Sequence, residues 1–340
     1  MARVGIAFNG PPYSVREMVN AVKMCEAAGF ESAWQAEDVY GPDAIVPLAC
    51  YAQATERIRL GTCLVNPNTR AATLLASTFA TLDQLSAGRM VLGLGAGLTW
   101  LPMIGKSAAE VKSLTLMRET VATVRSLLRG DDVVINGRPA GIFDRPASLP
   151  KAFNWPFGGF DYPRNRIPVY IGARGPRMIR LAGEVADGLI CEHSITVPGI
   201  KTWTQAFRDA AVAAGRDPGT LESVGLVLFS PSENGRPAKA LKTFLARKIG
   251  ALPAEQVAQL GFDPALVRRI SELWKEEKPE EAGRLVSKEM LSAFGAVGTP
   301  DECIARLKAY RDAGLTVPLL FPEACELRLA IEVGAAYAAS

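Results

Sequence analysis

A chain of 340 residues is long for one ordinary domain and short for two, but closed α/β barrels reach this length as a single unit. Apolar residues make up 49% of it and the formal net charge is only +3. These values exclude a disordered chain and give no electrostatic case for a nucleic-acid partner, and no apolar run approaches the roughly 18 residues of a membrane-crossing helix.

"MARVGIAF" enters a strand (4–8) at once, so no signal peptide is expected before it. A helix follows, with Val15, Met18, Val19, Val22 and Cys25 at helical spacing and Gly29 closing it. "SAWQA" (32–36) is the second strand, followed by a helix through Ala49. "IRLGTCLV" (58–65) is the third, with a helix from about Ala72 to Ser86 stopped at Gly88. "MVLGLGAG" (90–97) is the fourth and leads into a helical stretch (107–129). After an irregular segment come "VYIGA" (169–173), "LIC" (189–191), "VGLVLFS" (224–230) and "VPLLF" (317–321). These eight runs are apolar throughout, without period-2 alternation, as strands covered on both faces should be. Helices between successive strands require parallel crossovers. The expected fold is therefore α/β, a single (β/α)8 TIM barrel with insertions; a doubly wound open sheet is the alternative.

One domain, 1–340, is expected, with two insertions. Residues 131–166 are too rich in Pro, Gly and aromatics for a helix, and 236–296 read as extra helices before the last β/α unit. Such additions build a site's mouth or an oligomer contact, or simply cover the barrel's edge. Six cysteines without a C-x-x-C pair fit reduced thiols and a cytoplasmic protein. A lone histidine, His193, speaks against a His-rich metal site, and no metal is expected.

In a barrel, chemistry sits at the C-terminal ends of the strands. There lie Asn9 and Gly10, Glu37 and Asp38, Asn66, Gly95 to Gly97, Gly172 to Gly175, and Glu192 and His193. A carboxyl beside a planar ligand can relay a proton or accept a hydrogen bond, although Glu37 and Asp38 could instead cap the next helix. "LGLGAG" lacks the dinucleotide fingerprint, and its glycines suit close approach of a ligand to the backbone. "GARGPRM" offers amides at a helix start, with Arg174 and Arg177 nearby, and suits a phosphate; a plain βα turn with Pro176 at the first helical position would look the same. Cys63 has no histidine or cation beside it in sequence and reads as a buried apolar residue. His193 could act as an acid, base or donor.

Taken together, "GFESAWQAED", "ATERIRLGTCLVNPNTR", "ATLDQLSAGRMVLGLGAG", "VYIGARGPRMIRLAGEVADGLI" and "VGTPDECIARLKAYRDAG" resemble the bacterial-luciferase-like barrel proteins. Within that superfamily they are similar to the coenzyme F420-dependent branch, the methylenetetrahydromethanopterin reductase-like proteins. The resemblance spans nearly the whole chain. It implies a flavin or 5-deazaflavin at the strand ends, a cis peptide at Cys63–Leu64 behind its ring, and cofactor contacts at Thr62, Cys63, Leu64, Gly95, Ala96 and Gly97. It also places the cofactor phosphate on the turn Gly172, Ala173, Arg174 and Gly175.

Two departures bear on function. Glu37-Asp38 stands where many F420-dependent relatives have Asp-His, and Leu98 stands where sugar-phosphate dehydrogenases have a glutamate. A sugar phosphate is thus disfavoured, and the proton route stays open between solvent, Glu37, Asp38 and His193. The expected activity is hydride transfer between coenzyme F420 and an imine, iminium, enone or ketone of a small organic molecule. Glu37 is expected at the cofactor ring, and Glu37, Asp38 and His193 are the catalytic candidates. Alternatives are a two-component monooxygenase using FMN and a non-catalytic flavin- or deazaflavin-binding barrel. A homo-oligomer, most simply a dimer, is expected, with neither nucleic acid nor membrane as partner.

Overall fold

The structure is a computed structural model that describes residues 2–10, 12–37, 41, 43–129, 131, 133–135, 138–140, 167–191, 196–250 and 262–340, with backbone alone at 99, 135 and 138–140. Eight parallel strands close into a barrel: β1 (Gly5–Phe8), β2 (Ser32–Gln35), β3 (Arg59–Thr62), β4 (Met90–Leu94), β5 (Val169–Ala173), β6 (Gly188–Cys191), β7 (Glu222–Pro231) and β8 (Val317–Pro322). Each strand pairs with its neighbours in sequence, from Gly5 opposite Ser32 round to Gly188 opposite Glu222. The ring closes where Gly5 of β1 stands opposite Leu319 of β8. That closure removes the open-sheet alternative.

The eight strands are those expected from the apolar runs, and a helix packs outside after each. Capping chemistry sets several helix starts. Ser14 and Glu17 form a reciprocal capping box for Val15–Ala27, and Thr299 and Glu302 form another for Pro300–Asp312. Three apolar clusters divide the core. Ala7, Trp34, Cys63, Tyr170, Leu226 and Phe321 belong to the barrel interior. A larger layer, with Phe8, Tyr51, Phe79 and Phe207, fills the space between strands and helices. A third cluster is built by the segment between β7 and β8.

That segment contains helices Lys239–Gly250, Pro264–Lys275, Pro279–Arg284 and Lys288–Phe294, where helical insertion was expected. It ends differently from that expectation. Gly295–Gly298 is a strand pairing in parallel with the last four residues of β7, beyond the stretch that β6 covers. β7 is ten residues long and β6 only four, so the free upper edge of β7 takes a second partner. In the other insertion, Val133–Ile135 and Arg138–Ala140 form an antiparallel pair. Residues 141–166 and 251–261 lie outside the described residues.

A charged network closes the N-terminal end of the barrel. Arg59 Nη1 lies 3.1 Å from both Glu31 and Glu222, its Nη2 donates to the Tyr170 hydroxyl at 2.9 Å, and Arg3 bonds both glutamates. Tyr170 in turn donates to Glu222. Residues at the starts of β1, β2, β3 and β7 are thereby tied across the barrel, leaving the opposite end for chemistry.

Candidate active site at the strand ends

The Cys63–Leu64 peptide is cis, as the resemblance implied. Around it the backbone stays in the sheet: Cys63 N–H donates to Gln35 at 2.9 Å, Val65 to Gly93 at 3.0 Å, and Gly95 to Val65 at 2.9 Å. The half-buried Leu64 side chain lies against two other strand ends. A Cβ placed on Gly95 would stand 2.6 Å from Leu64 Cδ1, and one on Gly172 would stand 2.2 Å from the same atom. Three segments read separately from the sequence thus form one surface at the barrel mouth. The glycines of "LGLGAG" were expected to admit a ligand to the backbone; at Gly95, as at Gly172, the place of a Cβ is taken by Leu64.

Gly97 has φ 57°, and a Cβ there would meet the Asn66 amide at 2.0 Å. Asn66 Nδ2 donates to the Gly97 carbonyl at 3.3 Å, and Asn68 Nδ2 donates to that of Ala96 at 3.0 Å. The loops after β3 and β4 are therefore clamped together, and these two carbonyls already have protein donors. Thr62 also works from behind. It is fully buried, and its hydroxyl exchanges hydrogen bonds with Gly93 N–H and C=O, both at 2.9 Å, which leaves its side chain no surface for a ligand.

Glu37 follows β2, with its amide donating to the Leu64 carbonyl at 3.4 Å. Its side chain is 6% exposed and paired with Arg70, whose Nε and Nη2 both donate to Oε1, at 2.8 and 2.6 Å. Oε2 is buried without a partner among the described residues. Arg70 also bonds Asp43, whose other oxygen accepts from the amides of Ile45 and Val46 at the start of helix Ile45–Ala54. A helix start thus holds Asp43, Asp43 holds Arg70, and Arg70 holds Glu37. Arg70 was not picked out in the sequence because its partner lies 33 positions earlier; a lone arginine in "NPNTR" carries no signal of its own.

Ala173, the last residue of β5, is buried, whereas Arg174 and Gly175 on the turn after it and Arg177 in the following helix are exposed. Gly175 is the N-cap of helix Pro176–Val185 in extended conformation and brings no side chain of its own to cap it. A Cβ on Gly175 would meet nothing within 4 Å. Asp38 and His193, the other two catalytic candidates, lie outside the described residues, as does Glu192. Cys63 is buried in the apolar interior, consistent with a packing role. An open groove lined by Thr196, Lys288, Ser292 and Arg306 includes none of the candidate residues.

These residues fit a phosphate-bearing ring cofactor on two structural grounds. The uncapped helix start beside open Gly175 offers amides and positive dipole to an anion. The orphaned Glu37 Oε2 offers a buried acceptor whose burial would be costly without a donor.

The chain belongs to the luciferase-like monooxygenase family, whose family model matches residues 2–317. It is 31% identical over 311 residues to the 5,10-methylenetetrahydromethanopterin reductase of Methanolobus tindarius, covering 90% of each chain. It is 29% identical over 335 residues to the F420-dependent glucose-6-phosphate dehydrogenase of Beutenbergia cavernae, covering 93% of this chain and 90% of that one. Among solved structures, the coenzyme F420 dependent tetrahydromethanopterin reductase of Methanopyrus kandleri superposes with a TM-score of 0.84 at 25% identity, over 98% of both chains.

Proposed function

We propose that this protein transfers a hydride between coenzyme F420 and an electrophilic carbon, that of an imine, iminium, enone or ketone, in a small organic molecule. It is a luciferase-like F420-dependent oxidoreductase. The observation that carries the reading is the Leu64 surface, where the cis peptide after β3 meets the ends of β4 and β5 beside an uncapped helix start. F420 is favoured over FMN by whole-length similarity to relatives named for F420.

When bound, reduced F420 supplies a hydride from C5 of its deazaflavin ring. Leu64 would back the ring, and the Gly175 and Arg177 amides with the Arg174 guanidinium would hold the phosphate. The Oε2 atom of Glu37 would accept a hydrogen bond from a ring or substrate N–H or O–H. The chain contributes positioning and exclusion of water, which accounts for much of the rate of such transfers. Leu98, half-exposed directly after Gly97, presents an apolar side chain that recognises no sugar phosphate. We further propose action as a homodimer on a free small molecule in the cytoplasm, with neither nucleic acid nor membrane as partner. No helix among the described residues is long and apolar enough to cross a membrane.

The test is turnover. Reduced F420 should be consumed with at least one member of an imine, iminium, enone and ketone panel, with little oxygen uptake in the presence of reduced FMN. Oxygen-dependent product from reduced FMN alone would instead support the monooxygenase. Cofactor binding without turnover on any of these would support the non-catalytic barrel.

A further inference from the structure

Val317, Leu319 and Phe321 of β8 belong to the barrel interior. Side chains of a strand alternate between faces, so the next inward position is Glu323. The ladder continues to that point, since Glu323 N–H donates to the Phe229 carbonyl of β7 at 3.0 Å. Glu323 therefore stands one layer above Phe321, at the barrel's C-terminal mouth. The interior cluster beneath it contains Cys63 and, at its margin, Leu64.

Its surroundings are partly apolar. Phe244, from helix Lys239–Gly250, stacks on Phe321 with ring centroids 6.3 Å apart. Among the described residues, the charged and titratable groups around Glu323 are Arg247 and Lys248 of that helix, Tyr13 from the turn after β1, and Cys325 from its own loop. Arg247 and Lys248 lie 5.3 and 5.2 Å from the Phe244 centroid. Burial pushes the Glu323 carboxyl up, and the two cations pull it back without cancelling the rise. Glu37 is differently placed, since its carboxylate is engaged by Arg70 and suits accepting rather than donating.

We propose that Glu323 is the acid that protonates the reduced substrate, and that the acceptor is a neutral imine, enone or ketone rather than an iminium cation. This rests on the F420 reading. Hydride addition to a neutral C=N, C=O or C=C–C=O brings two electrons and one hydrogen to the acceptor carbon. The π pair moves to nitrogen, oxygen or the α-carbon. The Glu323 O–H bond breaks, its proton goes to that atom, and the carboxylate left behind takes a proton from water. An iminium needs no proton, because the added hydride neutralises it, and Arg247 and Lys248 would repel such a cation.

Glu323→Gln keeps shape and removes the acid. The expected result is F420 affinity within about twofold of wild type, with kcat on neutral acceptors down by about 10²–10⁴. An iminium acceptor should lose far less. The decline of wild-type kcat toward alkaline pH should disappear in the variant, and Glu323→Asp should restore part of the rate. A second readout needs no cofactor. Because the folded-state carboxyl is raised, the wild type is favoured at low pH and loses that stability as pH rises through the folded value. The Tm of Glu323→Gln minus that of wild type should therefore grow with pH. Wild-type kcat on neutral acceptors in Glu323→Gln, or a Tm difference flat with pH, would overturn the proposal. Failure of the wild type to bind F420 would overturn the cofactor reading and the donor role with it, even if the Tm difference still grew with pH.

Discussion

Arg70 directs both Nε and Nη2 at a single oxygen of Glu37, leaving the other oxygen buried with no partner among the described residues. A pair that served stability alone would be expected to engage both oxygens in fork geometry. Here the guanidinium also serves Asp43, and Glu37 keeps one acceptor in reserve.

Removing Arg70 strands a nearly buried carboxylate. Arg70→Met should cost ~3 kcal/mol in urea unfolding, and adding Glu37→Leu should recover most of that loss, since apolar replacement of both partners is far cheaper than breaking the pair. Equal destabilisation in the single and double variants would contradict this account.

Glu37→Gln should leave the fold nearly intact, because an amide oxygen can still accept from Arg70. If Oε2 serves the cofactor, F420 affinity should fall about tenfold, the order expected for one hydrogen bond to a charged acceptor. Isothermal titration of the two proteins decides it; identical affinities would remove Glu37 from the cofactor's contacts.

Gly172 and Gly175 lie three residues apart and should respond in opposite ways. Gly172→Ala drives a Cβ into Leu64 and should cost about 1–3 kcal/mol of stability. Gly175→Val adds a side chain into open space, so the Tm should barely move, but F420 affinity should drop because the phosphate's approach is obstructed. Unchanged affinity in Gly175→Val would move the phosphate elsewhere.

At the closed end of the barrel, burial alone would raise the pKa of Glu222. Arg59, Tyr170 and Arg3 outweigh it and hold the group below the usual carboxylate range. A depressed pKa stabilises the fold above the unfolded value of about 4.3 and loses that contribution as pH falls through the folded value. Glu222→Gln should therefore be less stable than wild type at pH 7, by on the order of 1–2 kcal/mol given the network's partial exposure. The gap should close under acid. A gap independent of pH would point to packing rather than charge.

The barrel was legible because its strands are apolar on both faces and separated by helices, a pattern with few solutions. Gly295–Gly298 was not. "SAFGAVG" continues a helical apolar pattern, and only the unpaired upper half of β7 turns its last four residues into a strand. Leu64, Gly95 and Gly172 were each visible, but their meeting point was not, because the Leu64 side chain links strands more than a hundred residues apart. Thr62 is fully buried with its hydroxyl held by Gly93, which the family pattern alone did not indicate. Arg70 and the Arg3, Glu31, Arg59 and Glu222 network share one difficulty: each is an ordinary charge in sequence, and the barrel's closure supplies its partner. Glu323 did leave a signal, since Val317, Leu319 and Phe321 alternate toward it, but the run was expected to end at Phe321.

The central claim is that the mouth of this barrel is built for F420. Titrating the purified apoprotein with F420 and with FMN side by side, by fluorescence quenching in the same buffer, tests it directly. Saturable F420 binding at least tenfold tighter than FMN is the predicted result, and tighter binding of FMN would contradict it.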